Sequence, residues 1–336
     1  MSTEQLLDDL AAMQTMDKRG MLRLVRELPE QCETALGIGR SLPVEPLPFT
    51  PNVILIAGAS DCAVASDIIV ETVCEDIAIP IISDHSGRIP GYVGEQSLVF
   101  VIDYTGKSDI ALASYHEARL KGATVICVTC GGKLNEAAAN DEVRVVKIPP
   151  GQPARSAVGY LFIPVVAILE KLGLISGQTE KLTYGIRLLK NVRETLRSEV
   201  PLARNVAKQA ARALTGKLAV IFSAAGYRTV VALRFRSQIG SNVGATACVE
   251  NISDAIPARM QFADTAYVLL KDNDDKGNAA AREALGELNI SELKMKGTTN
   301  IEKLLYGIYL ADYVSCYLAF LCGVDPTSGE PVTKQE

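Results

Sequence analysis

The spacing of hydrophobic and polar positions changes twice along the chain. Residues 3–28 carry apolar side chains three and four positions apart, which predicts two helices around a Lys18-Arg19-Gly20 break. We expect these helices to pack on a later domain or on a partner subunit. Segment 42–51 contains four prolines, so it cannot form a helix and is expected to be a tether. From Asn52 onward, short apolar runs alternate with helical stretches of about 10–15 residues, which is typical of a parallel sheet covered on both faces.

This alternation occurs in two rounds and predicts an α/β fold with two sheets. The strands predicted in the first round are 53–57, 79–82, 97–102, 124–129 and 143–148. Those of the second round are 218–223, 245–249, 265–270 and 291–295. The main predicted helices between and after them are 62–74, 109–121, 134–139, 227–239, 279–288 and 300–322. The two rounds share an order of elements without a residue-level repeat, so we expect two copies of one architecture.

The predicted domain limits follow from these elements. A chain of 336 residues is long enough for two domains of ordinary size. The expected division is 1–50 for the N-terminal helices and tether, 51–177 for the first domain, 178–214 for a helical connector interrupted at Pro201, 215–327 for the second domain, and 328–336 for a tail.

Charge and cysteine content narrow the class of protein. A net charge of -5 argues against nucleic acid or an anionic membrane as the main partner. No apolar run reaches the roughly 18 residues of a membrane span, and residues 1–5 do not begin a secretory leader, so we expect a cytoplasmic protein. The eight cysteines are scattered, mostly inside apolar runs, which favours reduced, buried thiols. Cys127 and Cys130 have redox or metal spacing, but no second pair or histidine is near, so we favour core packing and expect neither a metal nor a cofactor.

One turn carries candidate chemistry. The apolar run 97–102 ends at Asp103-Tyr-Thr-Gly-Lys-Ser108, and a helical pattern begins at Asp109. Backbone N–H groups, two hydroxyls and an ammonium at the start of a helix can together hold a phosphate. The alternative is an ordinary strand–turn–helix corner. Ligands of parallel sheets bind at the carboxyl ends of the strands. The polar residues expected there are Ser60, Asp61, His85, Thr105, Lys107 and Ser108.

Several stretches together carry a family resemblance over about 300 residues. They are Met21-Leu22, Leu28-Pro-Glu-Gln31, Gly58 with Asp67, Asp103-Tyr-Thr-Gly-Lys-Ser108, Gly131-Gly-Lys-Leu134, Pro153-Ala-Arg155 with Gly159-Tyr160, Arg234-Phe-Arg-Ser-Gln-Ile239 with Asn242, and Gly323-Val-Asp-Pro-Thr327. In their order and spacing they resemble the SIS-domain (sugar isomerase) family of bifunctional phosphoglucose/phosphomannose isomerases. The resemblance implies two tandem SIS domains, each a flavodoxin-like, doubly wound parallel sheet. It also implies a homodimer with active sites between domains and subunits, and a sugar phosphate as the ligand.

The resemblance also implies roles for individual positions. Relatives bind the phosphate through a turn that Asp103–Ser108 matches, including Gly106, and through an arginine that Arg155 matches. In the family reaction a histidine helps to open the sugar ring, and a glutamate moves a proton between adjacent carbons through an enediol. A lysine near the C-terminus also takes part in the family reaction. The reaction is an aldose–ketose isomerisation.

This chain departs from the family pattern at these positions. Relatives carry Gly-Met-Gly-Gly-Ser where this chain has Gly58-Ala-Ser-Asp-Cys62, so the side chains of Ser60 and Asp61 would crowd the backbone. The family base lies in Asn-Glu-Asn, which Gly240-Ser241-Asn242 matches without a carboxylate. The family histidine is missing too, because the only histidines are His85 and His116.

The phosphate turn is altered as well, since Asp103 and Lys107 replace a serine and an asparagine of the relatives. A carboxylate about 4 Å from a phosphate costs several kcal/mol at a dielectric constant near 20. We therefore expect a salt bridge between Asp103 and Lys107, with selection of an amine-bearing ligand as the alternative.

Two hypotheses remain open. The first is a sugar-phosphate isomerase, or a relative acting on a modified phosphosugar, in which other groups take over proton transfer. The candidates are Glu250, Asp254 and His85, with Lys334 as the lysine nearest in position to that of the family. The second hypothesis is a non-catalytic phosphosugar sensor or partner subunit that keeps the SIS fold. Members of the family would interconvert glucose 6-phosphate, mannose 6-phosphate and fructose 6-phosphate, and we expect this chain not to do so at family-like rates.

Overall fold

The chain folds into two compact units, each built around one parallel sheet. The computed structural model describes residues 3–252, 264–272 and 289–328. The first-sheet unit is Leu28–Thr183, and the second-sheet unit combines Met1–Glu27 with Tyr184–Glu336. These two units are not the same division of the chain as the domain limits expected from the sequence, which stay a prediction.

Three helices stand where the sequence pattern predicted two. They are α1 (Thr3–Asp8), α2 (Leu10–Met16) and α3 (Met21–Arg26). The additional interruption has a local cause, because the Asp9 side chain accepts a hydrogen bond from the Ala12 backbone and caps a new helix. Gly20, in the predicted break, has a left-handed φ of 73°. Helices α1 and α3 pack against a long helix near the C-terminus, so the expected packing on a later domain is confirmed.

The first sheet contains five parallel strands in the order β2-β1-β3-β4-β5. They are β1 (Val53–Gly58), β2 (Ile81–Asp84), β3 (Ser97–Ile102), β4 (Thr124–Thr129) and β5 (Arg144–Lys147). The helices of this unit are α4 (Leu28–Ser41), α5 (Ala63–Val73), α6 (Asp109–Leu120), α7 (Gly132–Asn140) and α8 (Val158–Lys171). Every residue of β1 and β3 is buried, as expected of central strands covered by helices on both faces.

The strand order places two loops side by side. The chain passes from β1 outward to β2 and then returns to β3 on the other side of β1, which makes a topological switch point. Gly58, the last residue of β1, is in register with Ile102, the last residue of β3. The loops that follow these two strands therefore begin at the same edge, where ligands of such sheets bind.

The second sheet has the order β7-β6-β8-β9, which repeats the order β2-β1-β3-β4 of the first. Its strands are β6 (Leu218–Ser223), β7 (Ala247–Asn251), β8 (Thr265–Lys271) and β9 (Ile290–Lys294). The later helices are α9 (Gln178–Leu196), α10 (Val206–Leu214), α11 (Tyr227–Val243) and α12 (Asn300–Leu321). The expected pair of similar α/β architectures is confirmed. The helix predicted at 279–288 lies outside the described residues.

Helix α12 is the core helix of the second-sheet unit. It is long and apolar enough to cross a membrane, but 94% of its most apolar stretch is buried within the protein, as in the core helix of a soluble protein. A capping box fixes its start, because Thr299 and Glu302 exchange side-chain-to-backbone hydrogen bonds.

A buried polar network holds α11 against α12. Arg234 makes a bidentate ion pair with Asp312 at 2.9 and 2.8 Å, and Gln238 donates to the same carboxylate at 3.0 Å. One turn further along α11, the Asn242 side chain donates to Ser315 at 2.9 Å. These residues recur every four positions on α11 and face one helix. The stretch that resembles the family here therefore has a structural role in helix packing.

Candidate functional site at the edge of the first sheet

The loop after β1 is a tight turn that packs closely on the start of α5. A Cβ atom on Gly58 would lie 2.2 Å from the Ser66 hydroxyl oxygen, so no larger residue fits without rearrangement. Ser60 has a φ of 53°, in the left-handed region that favours glycine. Both Ser60 and Asp61 are exposed. The backbone at residue 60 thus keeps a conformation suited to the glycine that relatives carry, although serine occupies the position.

The loop after β3 satisfies its own backbone donors. The Gly106 N–H donates to the Asp103 carbonyl oxygen at 3.2 Å, and the Lys107 N–H donates to the Thr105 hydroxyl at 3.3 Å. The Ser108 N–H donates to the Asp103 carboxylate at 2.8 Å. These are the donors expected to hold a phosphate. A phosphate group entering this turn must therefore compete with acceptors that belong to the turn itself.

The prediction of a salt bridge between Asp103 and Lys107 is wrong. Asp103 is buried, and the Thr105 hydroxyl lies 3.4 Å from the carboxylate oxygen that does not bind Ser108. Lys107 is exposed and makes no ion pair with any residue in the described part of the chain. The carboxylate already has a backbone N–H and a hydroxyl as donors, whereas pairing would require the lysine to lose hydration and rotamer freedom.

A glycine pair after β4 supports the same turn. Gly106 has a φ of 67°, and a Cβ atom there would lie 1.8 Å from the Gly131 carbonyl oxygen. The Leu134 N–H, in the first turn of α7, donates to the Gly106 carbonyl oxygen at 3.0 Å. Ser108 caps α6 by accepting a hydrogen bond from the Ala111 N–H at 3.3 Å. Glycine is therefore required at position 106 by a close approach of two loops.

Arg155 reaches this edge through a short helical turn. Its turn, Ala154–Ser156, contacts the Ser60–Cys62 turn that follows β1. The Tyr104 hydroxyl donates to the Pro149 carbonyl oxygen at 3.0 Å and so ties the β3 loop to the segment leading to Arg155. Gly58, Ser60, Asp61, the Asp103–Ser108 turn and Arg155 are thus brought to one edge of one sheet.

Two positioning residues, Tyr104 and Gln31, lie in stretches that resemble the family, but no local pattern in the sequence indicated their role. Tyr104 connects the β3 loop to Pro149, and its own N–H points to the Cys62 sulfur at 3.4 Å. Gln31, on α4, receives the Gly159 N–H at 2.7 Å and donates to the Ser156 carbonyl oxygen at 2.8 Å, which fixes the turn bearing Arg155. These bonds join residues far apart in the chain, so no local pattern could have indicated them.

His85 follows β2 at the same edge and pairs with a carboxylate. Its Nε2 lies 3.2 Å from an oxygen of Asp67 on α5, and the Ser83 hydroxyl donates to that oxygen at 2.7 Å. The hydrogen bond to Asp67 raises the pKa of His85, with burial acting in the opposite direction. His85 is therefore a partly exposed imidazole able to exchange protons near neutral pH.

The other candidates for proton transfer belong to the second-sheet unit. Glu250 is exposed and lies next to the end of β7. Ser241, which stands where relatives carry their base, is half-buried on α11 beside the packed Asn242. Asp254 and Lys334 lie outside the described residues.

The described part of the chain contains no group of three or more His, Cys, Asp or Glu side chains that could hold a metal. Cys127 is fully buried on β4, and burial raises the pKa of its thiol to about 12, as expected of a core residue. Cys130 is half-buried.

The paired sheets and their edge loops define a class of protein, the tandem SIS-domain proteins. The tagatose-6-phosphate ketose/aldose isomerase of Escherichia coli has this fold, with a TM-score of 0.70 at 13% identity over 94% of this chain and 96% of that chain. Residues 203–335 match the family described as bacterial phospho-glucose isomerase C-terminal SIS domain.

Sequence relatives identify the family within that class. The bifunctional phosphoglucose/phosphomannose isomerase of Caldicellulosiruptor bescii is 31% identical over 329 residues, covering 94% of this chain and 96% of the relative. The protein of the same name from Thermoplasma acidophilum is 28% identical over 291 residues, covering 81% of this chain and 85% of the relative. The chain therefore belongs to the bifunctional phosphoglucose/phosphomannose isomerase family of SIS phosphosugar isomerases.

Proposed function

We propose that this protein binds a sugar phosphate at the edge of the first sheet with an active site that has lost the family's proton-transfer groups. The observation that carries the proposal is the replacement of the family glutamate by Ser241 in a chain with no histidine beyond His116. A serine without an adjacent base cannot accept a carbon-bound proton near neutral pH. Interconversion of glucose 6-phosphate, mannose 6-phosphate and fructose 6-phosphate is therefore expected to be far slower than in the relatives.

Several exposed groups at the edge support a phosphosugar ligand. Thr105 and Lys107 are exposed, and Ser108 is half-buried at the start of a 12-residue helix. Arg155 is half-buried in the adjoining turn. A phosphate lying across these groups would meet two cations, two hydroxyls and the positive end of the α6 dipole. His85, Glu250 and Asp254 are the side chains that we propose for any residual proton transfer.

The second candidate is a sensor or partner subunit that binds the sugar without turnover. The loop after β3 favours this second candidate, because its backbone N–H groups already donate to acceptors within the loop. Such a turn binds phosphate less tightly than a turn whose N–H groups have no acceptor. In either case we expect a cytoplasmic homodimer. Light scattering on the purified protein measures its molar mass and so tests the dimer.

A coupled isomerase assay and calorimetric titration with the three sugar phosphates test the proposal together. We expect saturable binding with little or no turnover, and loss of binding in the Thr105→Ala/Ser108→Ala double variant. Ser41→Ala, an exposed hydroxyl on α4, is the matched control and should bind like the parent protein. Family-like turnover would contradict the loss of the proton-transfer groups, whereas unchanged binding in the double variant would contradict the location of the site.

A further inference from the structure

A row of three tyrosines on α12 contains one hydroxyl that differs from its neighbours. Tyr309, Tyr313 and Tyr317 are four positions apart, so they lie on one face of the helix, and all three side chains are buried. The Tyr309 hydroxyl donates to the Arg26 carbonyl oxygen at 2.9 Å, and the Tyr317 hydroxyl donates to the Leu196 carbonyl oxygen at 2.6 Å. The hydroxyl of the middle tyrosine, Tyr313, has no hydrogen-bond partner among the residues that the structure describes.

Tyr313 also lines a cavity of about 200 Å³ in the second-sheet unit. The cavity lies between the N-terminal helices and α12, with Met13 and Leu22 among its apolar walls. Burial raises the pKa of Tyr313, so the phenol stays protonated at neutral pH. The Tyr309 hydroxyl itself is committed to the Arg26 carbonyl oxygen. A buried donor without a partner gains free energy from any acceptor that enters the cavity.

The charged side chains that line the cavity favour an anion. Arg23 and Arg26 line it, and both side chains are more than half exposed. Arg26 lies 3.9 Å from Glu199, a long contact, whereas Arg23 is bonded to Glu27 at 2.8 Å.

Asp17 is the one carboxylate in the lining, and its position limits its effect on an anion. Its two oxygens accept the Met21 and Leu22 N–H groups at 2.7 and 2.9 Å. The lining therefore contains two guanidinium groups and one carboxylate, and that carboxylate is already hydrogen-bonded to the backbone. Glu27 and Glu199, which lie near the two arginines, are not part of the lining.

We propose that this cavity is a binding site for a small organic acid with an apolar body. The acid group would contact Arg26, the body would pack on Met13 and Leu22, and an acceptor atom would take the Tyr313 hydrogen. Pockets for drug-sized molecules span about 300–1,000 Å³, so this one suits a ligand of about ten non-hydrogen atoms. The site belongs to the second-sheet unit and does not depend on the sugar-phosphate site.

Phenylacetate is a suitable probe, and phenylacetamide is its neutral counterpart of the same shape. Calorimetric titration of the full-length protein should show saturable binding of phenylacetate and weaker binding of the amide. Tyr313→Phe should weaken phenylacetate binding about fivefold or more because it removes only the hydroxyl. Arg26→Gln should weaken binding about tenfold. Tyr317→Phe, one helical turn away, is the matched control and should bind phenylacetate like the parent.

Thermal unfolding without ligand tests the premise separately. Tyr313→Phe should keep the parent melting temperature, since its hydroxyl has no partner, while Tyr317→Phe should melt lower because it loses a bond of 2.6 Å. An equal loss of stability in both variants would overturn the proposal. Absence of saturable phenylacetate binding at millimolar concentration, or equal affinity in Tyr313→Phe and the parent, would also overturn it and leave the cavity as a water site only.

Discussion

Replacing Asp103 with asparagine should increase the affinity of this protein for sugar phosphates. The Asp103 carboxylate is buried in the turn and receives the Ser108 N–H at 2.8 Å. A phosphate that used the same N–H would lie within about 4 Å of this negative charge. Asparagine keeps the shape and one acceptor oxygen for Ser108, so the substitution removes the repulsion without opening the turn.

The size of the effect follows from Coulomb's law. Two unit charges about 4 Å apart repel by about 1 kcal/mol in water and about 4 kcal/mol at an effective dielectric constant of 20. The site lies between these limits because Asp103 is buried, whereas Thr105 and Lys107 are exposed. The expected gain in affinity is therefore about fivefold to about a thousandfold per ligand charge.

Isothermal titration with a matched pair of ligands measures the gain and assigns its cause. Glucose 6-phosphate carries a charge of about −1.5 to −2 near pH 7, whereas glucose 6-sulfate has the same shape and one charge. Asp103→Asn should improve binding of the phosphate more than binding of the sulfate. Asp109→Asn, which removes a highly exposed carboxylate one residue beyond the turn, is the control and should change both affinities little. Equal gains for the two ligands, or a gain below about fivefold for the phosphate, would refute the electrostatic reasoning.

Three further predictions test the structure around the site. Asp67→Asn should lower the pKa of His85 in an NMR titration. Because the pKa of His85 is raised in the folded protein, its pairing with Asp67 stabilises the fold at acid pH, and this contribution is lost as the pH rises through that pKa. The loss of stability in the variant should therefore be smaller at alkaline pH than at acid pH. Asp312→Asn removes the charge that pairs with the buried Arg234 and should reduce the free energy of unfolding in urea by about 3–5 kcal/mol; a loss under about 1 kcal/mol would contradict the description of the network. Gly106→Ala should abolish sugar-phosphate binding and lower the melting temperature, whereas Gly91→Ala, with open space around it, should do neither.

The strands were predictable because their signal is local. The limits of β3, β4 and β6 agree with the sequence prediction, since each is a short apolar run bounded by polar or glycine-containing turns. The repeat of one α/β architecture also followed from the pattern of elements along the chain. The number of N-terminal helices did not, because it depends on one side chain, Asp9, capping the backbone three residues later.

The candidate site was predictable in its location and less so in its bonding. Parallel topology alone gathers the strand ends at one edge, so the positions of Ser60, His85 and Thr105 could be expected. The partner of Asp103 could not, because the sequence gives charges and omits the direction of backbone N–H groups in a turn. The same limit applies to Tyr104, whose bond to Pro149 spans 45 positions.

Hydrogen–deuterium exchange into the sugar measures proton transfer between carbons directly. Fructose 6-phosphate or glucose 6-phosphate is incubated with the protein in deuterated buffer, and NMR follows the proton on the carbon next to the carbonyl group. We expect the sugar phosphate to bind while its carbon-bound proton exchanges no faster than in buffer, because the chain carries Ser241 in place of a carboxylate base. Rapid exchange at that carbon, with or without net isomerisation, would show that this protein retains groups for proton transfer.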